Sequence, residues 1–97
     1  MNQFQLVAQV VERETLRYSP GGIPIVEAKL AHSSQQIEAG LPRLIEFELS
    51  AIAAGEISGR FSQIKPGQLQ QFTGFMARKN RNSKSLVFHI VDFEATN

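Results

Sequence analysis

The chain has no cysteine, no tryptophan, one tyrosine and no long apolar run. The missing cysteine excludes disulfides, thiolate metal sites and a cysteine nucleophile, and it fits a reducing compartment. No stretch approaches the ~18 apolar residues of a membrane-spanning helix. The opening Met1-Asn2-Gln3-Phe4-Gln5-Leu6 lacks the basic start and unbroken apolar segment of a signal peptide. A cytoplasmic location and no membrane association are expected. Catalytic patterns are also lacking. The two histidines, His32 and His89, stand in no metal-ligand spacing, and Gly21-Gly22 and Pro66-Gly67 have neither the Lys-Ser/Thr of a P-loop nor the spacing of a dinucleotide fingerprint. Glu46 and Glu48 alternate with apolar residues and read as a solvated strand face rather than an acid–base pair. Neither an enzyme nor a cofactor or metal is expected.

What is there suits one small domain covering residues 1–97. Hydrophobic residues are 42% and charged residues 20%, ordinary proportions for a globular chain. A chain this short has a thin core and gains from a further interface. Period-two alternation marks five strands. They are Asn2–Val11, with Phe4, Leu6, Ala8 and Val10 on one face; Ile23–His32, with Val26, Ala28 and Leu30; Leu44–Ala51, with Ile45, Phe47 and Leu49 inward; Gln68–Ala77; and Leu86–Glu94. In the last strand Leu86, Phe88 and Ile90 take one face and Val87, His89, Val91 and Phe93 the other. Ser19-Pro20-Gly21-Gly22 reads as a turn, and Ser33–Pro42 as a polar loop. Lys65-Pro66-Gly67 has the composition of a type II turn. Ile57, Phe61 and Ile64 lie on one helical stripe, and Gly55 and Gly59 keep that helix short. Gly74 inside the fourth strand predicts a bulge or bend.

Five open strands would leave long exposed edges, whereas closure removes most of them. Three strands, a short helix and two strands is the order of an all-β, five-stranded OB-fold barrel, with the helix between the third and fourth strands.

Net charge is only +1, but the segment 77–85 carries Arg78, Lys79, Arg81 and Lys84 and no acid, so it holds +4 and the remainder +1 − 4 = −3. Such a hairpin loop, mixing cations with Asn and Ser, can donate to phosphate oxygens. It can equally be a plain soluble loop tip. Single-strand binding usually adds ring stacking to charge. Tyr18, beside Arg17 and a turn, is the best exposed stacking candidate; one of Phe72 and Phe75 faces outward; Phe4, Phe47, Phe61 and Phe88 fit core positions.

These residues fall into a known order. Leu16-Arg17-Tyr18-Ser19-Pro20-Gly21-Gly22-Ile23-Pro24, Leu30-Ala31-His32-Ser33, Glu38-Ala39-Gly40 with Arg43, and the basic loop ending in Leu86-Val87-Phe88-His89 together resemble bacterial single-stranded DNA-binding proteins. The likeness spans nearly the whole chain and is strongest to the small members that serve the replication-restart primosome. It implies an OB-fold homodimer that binds single-stranded DNA and the restart helicase and hands on to a helicase-loading protein. It puts Arg17, Arg43, Arg78, Lys79, Arg81 and Lys84 at or near DNA-contacting positions, with Tyr18 beside them. It also implies a dimer formed through the first strand, Phe4, Leu6, Ala8 and Val10. The chain departs from that pattern at Glu46, where well-known members have Trp, at Leu41, where they have a loop aromatic, and at Ala8, where glycine is usual. Losing rings and gaining Glu46 and Glu48 implies modest, salt-sensitive DNA affinity. A protein-interaction adaptor with only weak DNA binding is the alternative.

Overall fold

The computed structural model describes residues 1–96. Alternating apolar residues make β1 (Phe4–Arg13) a strand, and its side chains Ala8 and Val10 are buried. This strand is shared between two partners. Its first part pairs antiparallel with β5 (Leu69–Arg78), from Phe4↔Gly74 to Gln9↔Leu69. Its second part pairs with β3 (Pro24–Glu38), from Gln9↔Ala31 to Arg13↔Ala28. β3 pairs with β4 (Leu41–Ala54), β4 runs parallel to β6 (Leu86–Ala95) over Ala51–Ala53, and β6 pairs with β5. The circuit β1–β5–β6–β4–β3–β1 closes. With α1 (Ile57–Phe61) between β4 and β5, this is the expected five-stranded OB-fold barrel. A two-residue strand, β2 (Arg17–Tyr18), adds to the edge of β3 through Arg17↔Ile25 and Tyr18↔Pro24.

Fully buried Phe61, Phe72 and Phe88 fill the barrel with Val10, Val26 and Leu30. The Phe61 and Phe72 rings meet edge-on at 6.2 Å, and Phe93 packs within 6.3 Å of Phe61 and 6.0 Å of Phe72. The helical stripe is confirmed, with Phe61 and Ile64 buried and Ile57 packed against the core. Arg13 donates to the carbonyls of Phe61 (3.0 Å) and Ile64 (2.6 Å), at the helix end where acceptors outnumber donors. The Gln68 amide bonds to the Lys65 carbonyl at 3.1 Å with Gly67 at φ +85°, the geometry of the expected type II turn.

Two register skips reverse the inward parity of a strand. Val11 is the extra residue between the pairs Val10↔Leu30 and Glu12↔Lys29, so Arg13 rather than Glu12 turns toward the helix. Val91 is the extra residue opposite Thr73 and Gly74, as the interior glycine predicts. That bulge corrects the face assignment of the last strand. Val91 is thrown outward, and Phe93 packs on the core instead of lying beside His89. Leu86, assigned to the same face as the buried Phe88 and Ile90, is itself exposed.

The largest correction concerns Ser33–Pro42, which is not a loop. β3 and β4 continue as one hairpin to Glu38↔Leu41, turning on Ala39 (φ 53°) and Gly40 (φ 77°). Positive φ at both central residues is the two-residue turn that suits strand twist. From Ser33 to Glu46 this hairpin pairs with no other strand among the described residues. It forms an arm about 20 Å long at ~3.3 Å per residue. The molecule is accordingly elongated, 49 × 34 × 23 Å. Both arm faces meet water, so its sequence does not alternate, and that hides the strand. Two residues expected in the core lie outside it, and the arm explains one of them. Phe47 sits on the inward face of β4 but beyond the barrel, 41% exposed, and Phe4 lies at the barrel end, 49% exposed. Ile45 and Leu49, expected inward with Phe47, are half-buried, and only Leu49 packs against the core.

Gly74 and Gly59 make opposite predictions. A Cβ on Gly74 would lie 2.0 Å from the His89 carbonyl oxygen, so Gly74→Ala should cost at least about 3 kcal/mol. Gly59 is helical with open space around it, and Gly59→Ala should add about 0.5–1 kcal/mol. Urea unfolding midpoints compared at equal slope measure both.

Candidate nucleic-acid interface

The cationic loop joins β5 to β6 and is locally ordered. The Lys79 amide bonds to the Ser85 carbonyl (2.9 Å) and Ser83 to Asn80 (3.2 Å) across the loop. The Asn80 side chain accepts from the Asn82 amide (2.9 Å), and the Ser83 hydroxyl accepts from the Ser85 amide (3.0 Å). Short polar side chains thus close the turn, leaving the long cationic ones free to project. Arg78, Lys79, Arg81 and Lys84 are all exposed, and none forms an ion pair among the described residues.

Arg17 and Tyr18 are held against β3 by β2 and by the turn that follows. The Ser19 amide bonds to the Ile23 carbonyl, the Gly22 amide to the Ser19 carbonyl, and the Ser19 hydroxyl accepts from the Ile23 amide. Tyr18 is 68% exposed, as a stacking ring must be. Arg17 is tied to Glu27 at 3.2 Å. A cleft of about 310 Å³ lies between this region and the root of the cationic loop. Glu12, Glu14, Glu27, Lys29, Lys79 and Ser85 are among its lining residues. Three acids offset the cations there, so the net positive field belongs to the loop and not to the cleft.

Arg43 stands apart from this grouping. It sits near the tip of the arm, across from Gln36, and pairs with Glu38. Glu46 and Glu48 point away from the barrel as expected, opposite Ser33 and Ala31, and Leu41 is exposed at the arm's tip. The structure therefore brings Arg17, Tyr18 and the root of the cationic loop to one end of the barrel and leaves Arg43 on the arm. Of the proposed dimer residues, Ala8 and Val10 are buried in the chain's own core and Leu6 packs against it, while Phe4 remains accessible.

Both histidines contact aromatic neighbours, and His32 is also hydrogen-bonded. His32 Nδ1 donates to the Val7 carbonyl (2.7 Å), Nε2 pairs with the Ser34 hydroxyl (2.8 Å), and the ring lies 4.9 Å from Phe47. His89 stacks on Phe75 at 4.8 Å. Sequence reasoning missed Glu27 as the partner of Arg17. The signal was a strand pairing at Arg17–Tyr18, which puts Glu27 two residues beyond Ile25 in the register.

A family model described as another single-strand binding protein family matches residues 2–92. Replication restart protein PriB of Nitrosomonas europaea is 43% identical over 91 residues, 94% of this chain and 84% of that protein. The chain belongs to the single-strand binding protein family, with the PriB proteins. The solved structure of PriB from Ralstonia solanacearum superposes on it with a TM-score of 0.92 at 43% identity, covering 100% of this chain and 99% of that one. The small single-stranded DNA-binding protein of Streptomyces coelicolor shares the fold, with a TM-score of 0.72 at 15% identity over 99% and 95% of the two chains. Family membership agrees with the closed barrel. Among the described residues no helix is long and apolar enough to cross a membrane.

The loop's order rests on two side chains, and this can be checked directly. Replacing Asn80 and Ser83 together by Ala should speed hydrogen exchange at the Asn82 and Ser85 amides by about fivefold or more, at ~1 kcal/mol per lost hydrogen bond. The unfolding midpoint should stay unchanged.

Proposed function

We propose that this chain is a single-stranded DNA-binding accessory protein of the replication-restart primosome, acting as a homodimer that also binds the restart helicase and hands on to a helicase-loading protein. The observation that carries this reading is an ordered loop of four cations with no ion pair among the described residues, mounted on a barrel 43% identical to PriB over most of its length. Such cations attract phosphates without reading base identity and make affinity depend on salt. Arg17 and Tyr18 would complete the contact at the same end of the barrel, and Arg43 would reach a strand only where it passes the arm.

The dimer would use the free side of β1. β3 leaves β1 at Gln9↔Ala31, so from Phe4 to Ala8 only the β5 side is paired by strand. An unpaired edge of this length invites a second strand, and a second copy supplies one with Phe4 and Val7 at its border. The adaptor reading, with weak DNA binding, is favoured by a different observation: Arg17 and Arg43 are already engaged by Glu27 and Glu38.

Fluorescence anisotropy with a labelled single-stranded oligonucleotide at several salt concentrations tests the proposal. Changing Arg78, Lys79, Arg81 and Lys84 to Ala should flatten the log–log salt slope by up to about 3, at ~0.7 per phosphate contact. Equal affinity for duplex DNA, or no binding at low salt, would refute the DNA-binding reading. Glu27→Gln releases Arg17 and should tighten binding about two- to fivefold, the scale of one exposed ion pair. Light scattering should return twice the chain mass.

A further inference from the structure

We infer that bases of the bound strand stack on the Phe75–His89 ring pair, on the outer face of the β5–β6 hairpin, so that the strand follows this hairpin and not the outer face of β3–β4. The inference rests on the DNA-binding reading above and specifies its route. Phe75 and His89 are direct partners across the ladder, with rings 4.8 Å apart and only 7° from parallel. The neighbouring pairs Gly74↔Ile90 and Met76↔Phe88 turn Ile90 and Phe88 into the core, so Phe75 and His89 face the other way. Phe75 keeps 38% of its surface exposed, an unusual placement for an aromatic that could have been buried.

The ring pair is joined to the cationic loop by its own strands. Ala77 and Val87 lie next along the same face, and the Lys79–Ser85 hydrogen bond extends the ladder toward the loop. Four residues separate Phe75 from Lys79, about 13 Å at ~3.3 Å per residue, a span of a few nucleotides. A flat ring to hold a base and cations within reach of the following phosphates are the two elements of a single-strand site.

Charge favours the half of this face next to the loop. No Asp or Glu occurs between Ile57 and Val91, where six of the ten cations fall: Arg60, Lys65, Arg78, Lys79, Arg81 and Lys84. The adjoining outward positions of β1 and β5 are Gln5, Val7 and Gln9, then Gln71 and Thr73, and the acids of β6, Asp92 opposite Thr73 and Glu94 opposite Gln71, lie on the side of the ring pair away from the loop. The outer face of β3–β4 instead carries Glu27, Glu46 and Glu48 against Lys29 and an Arg17 already tied to Glu27. A polyanion is repelled there and accepted along the loop half of β5–β6, from the ring pair to the four cations.

The test compares wild type, Phe75→Leu and Tyr18→Ala on two probes, an oligothymidylate and an abasic oligonucleotide of the same length. Phe75→Leu should weaken oligothymidylate binding by about 5- to 100-fold and leave abasic binding unchanged, because only bases stack. Phe75→Trp supplies a tryptophan in a chain that has none, and its emission, excited selectively at long wavelength, should be quenched on binding oligothymidylate and restored by high salt. If wild type binds and neither Phe75 variant responds while Tyr18→Ala loses affinity, the route is wrong and the DNA-binding reading stands. If wild type binds neither probe at low salt, the DNA-binding reading itself fails. Phe75→Leu weakening both probes equally would mean a disturbed loop and would overturn the stacking inference, whereas an unchanged melting temperature with base-selective loss supports it.

Discussion

Everything in this molecule depends on one strand serving two sheets. β1 bonds to β5 along its first half and to β3 along its second, and that switch converts an open sheet into a cylinder. Closure satisfies the backbone groups that an open five-stranded sheet would expose. It also concentrates a small set of apolar side chains, three of them phenylalanines, into one interior that a flat sheet of this size could not enclose. The same switch leaves the outer side of β1 from Phe4 to Ala8 without a partner strand, touched only by the His32 side chain at the Val7 carbonyl among the hydrogen bonds of the described residues.

Two bulges adjust what the barrel presents. Val11 reverses parity just before Arg13, which swings a guanidinium under the end of the short helix and ties it to the first strand. Val91 reverses parity opposite Gly74 and brings Phe93 against Phe61 and Phe72. Arg60 then lies over the Phe93 ring at 4.8 Å, so the helix is clamped on both sides. The close approach at Gly74 that permits the second bulge also sets the neighbouring Phe75 and His89 face to face on the outside. Core packing and the outer aromatic pair are therefore products of the same local geometry.

The electrostatic layout follows the connectivity. The acids of β1, β3 and β4 gather around the cleft and the arm, where they engage Arg17 and Arg43. The β5–β6 hairpin has no acid through its loop, so its cations keep their full charge toward solvent. A net charge of +1 conceals this division. Arg17, which looked like a free cation beside Tyr18 in the sequence, is held by a residue ten positions away, and the difference between a cation and an ion pair is invisible without the β2–β3 register.

The alternating segments by themselves determined five strands, their order, the short helix at Ile57–Phe61, the glycine at which the fourth strand bends, and the cationic loop. Each is a local pattern of apolar spacing, turn chemistry or charge, and local patterns survive without knowledge of neighbours. Tertiary structure alone decided the rest. The Ser- and Gln-rich stretch became half of an arm because pairing, not burial, holds it, and pairing leaves no period in a segment wetted on both faces. Phe47 and Phe4 fell outside the core because inward parity says which way a side chain points and not whether the barrel reaches that far. Phe93 went in, off the face it was assigned with His89 and Val91, because one inserted residue exchanges the two faces of a strand, and only the partner strand's register reveals it.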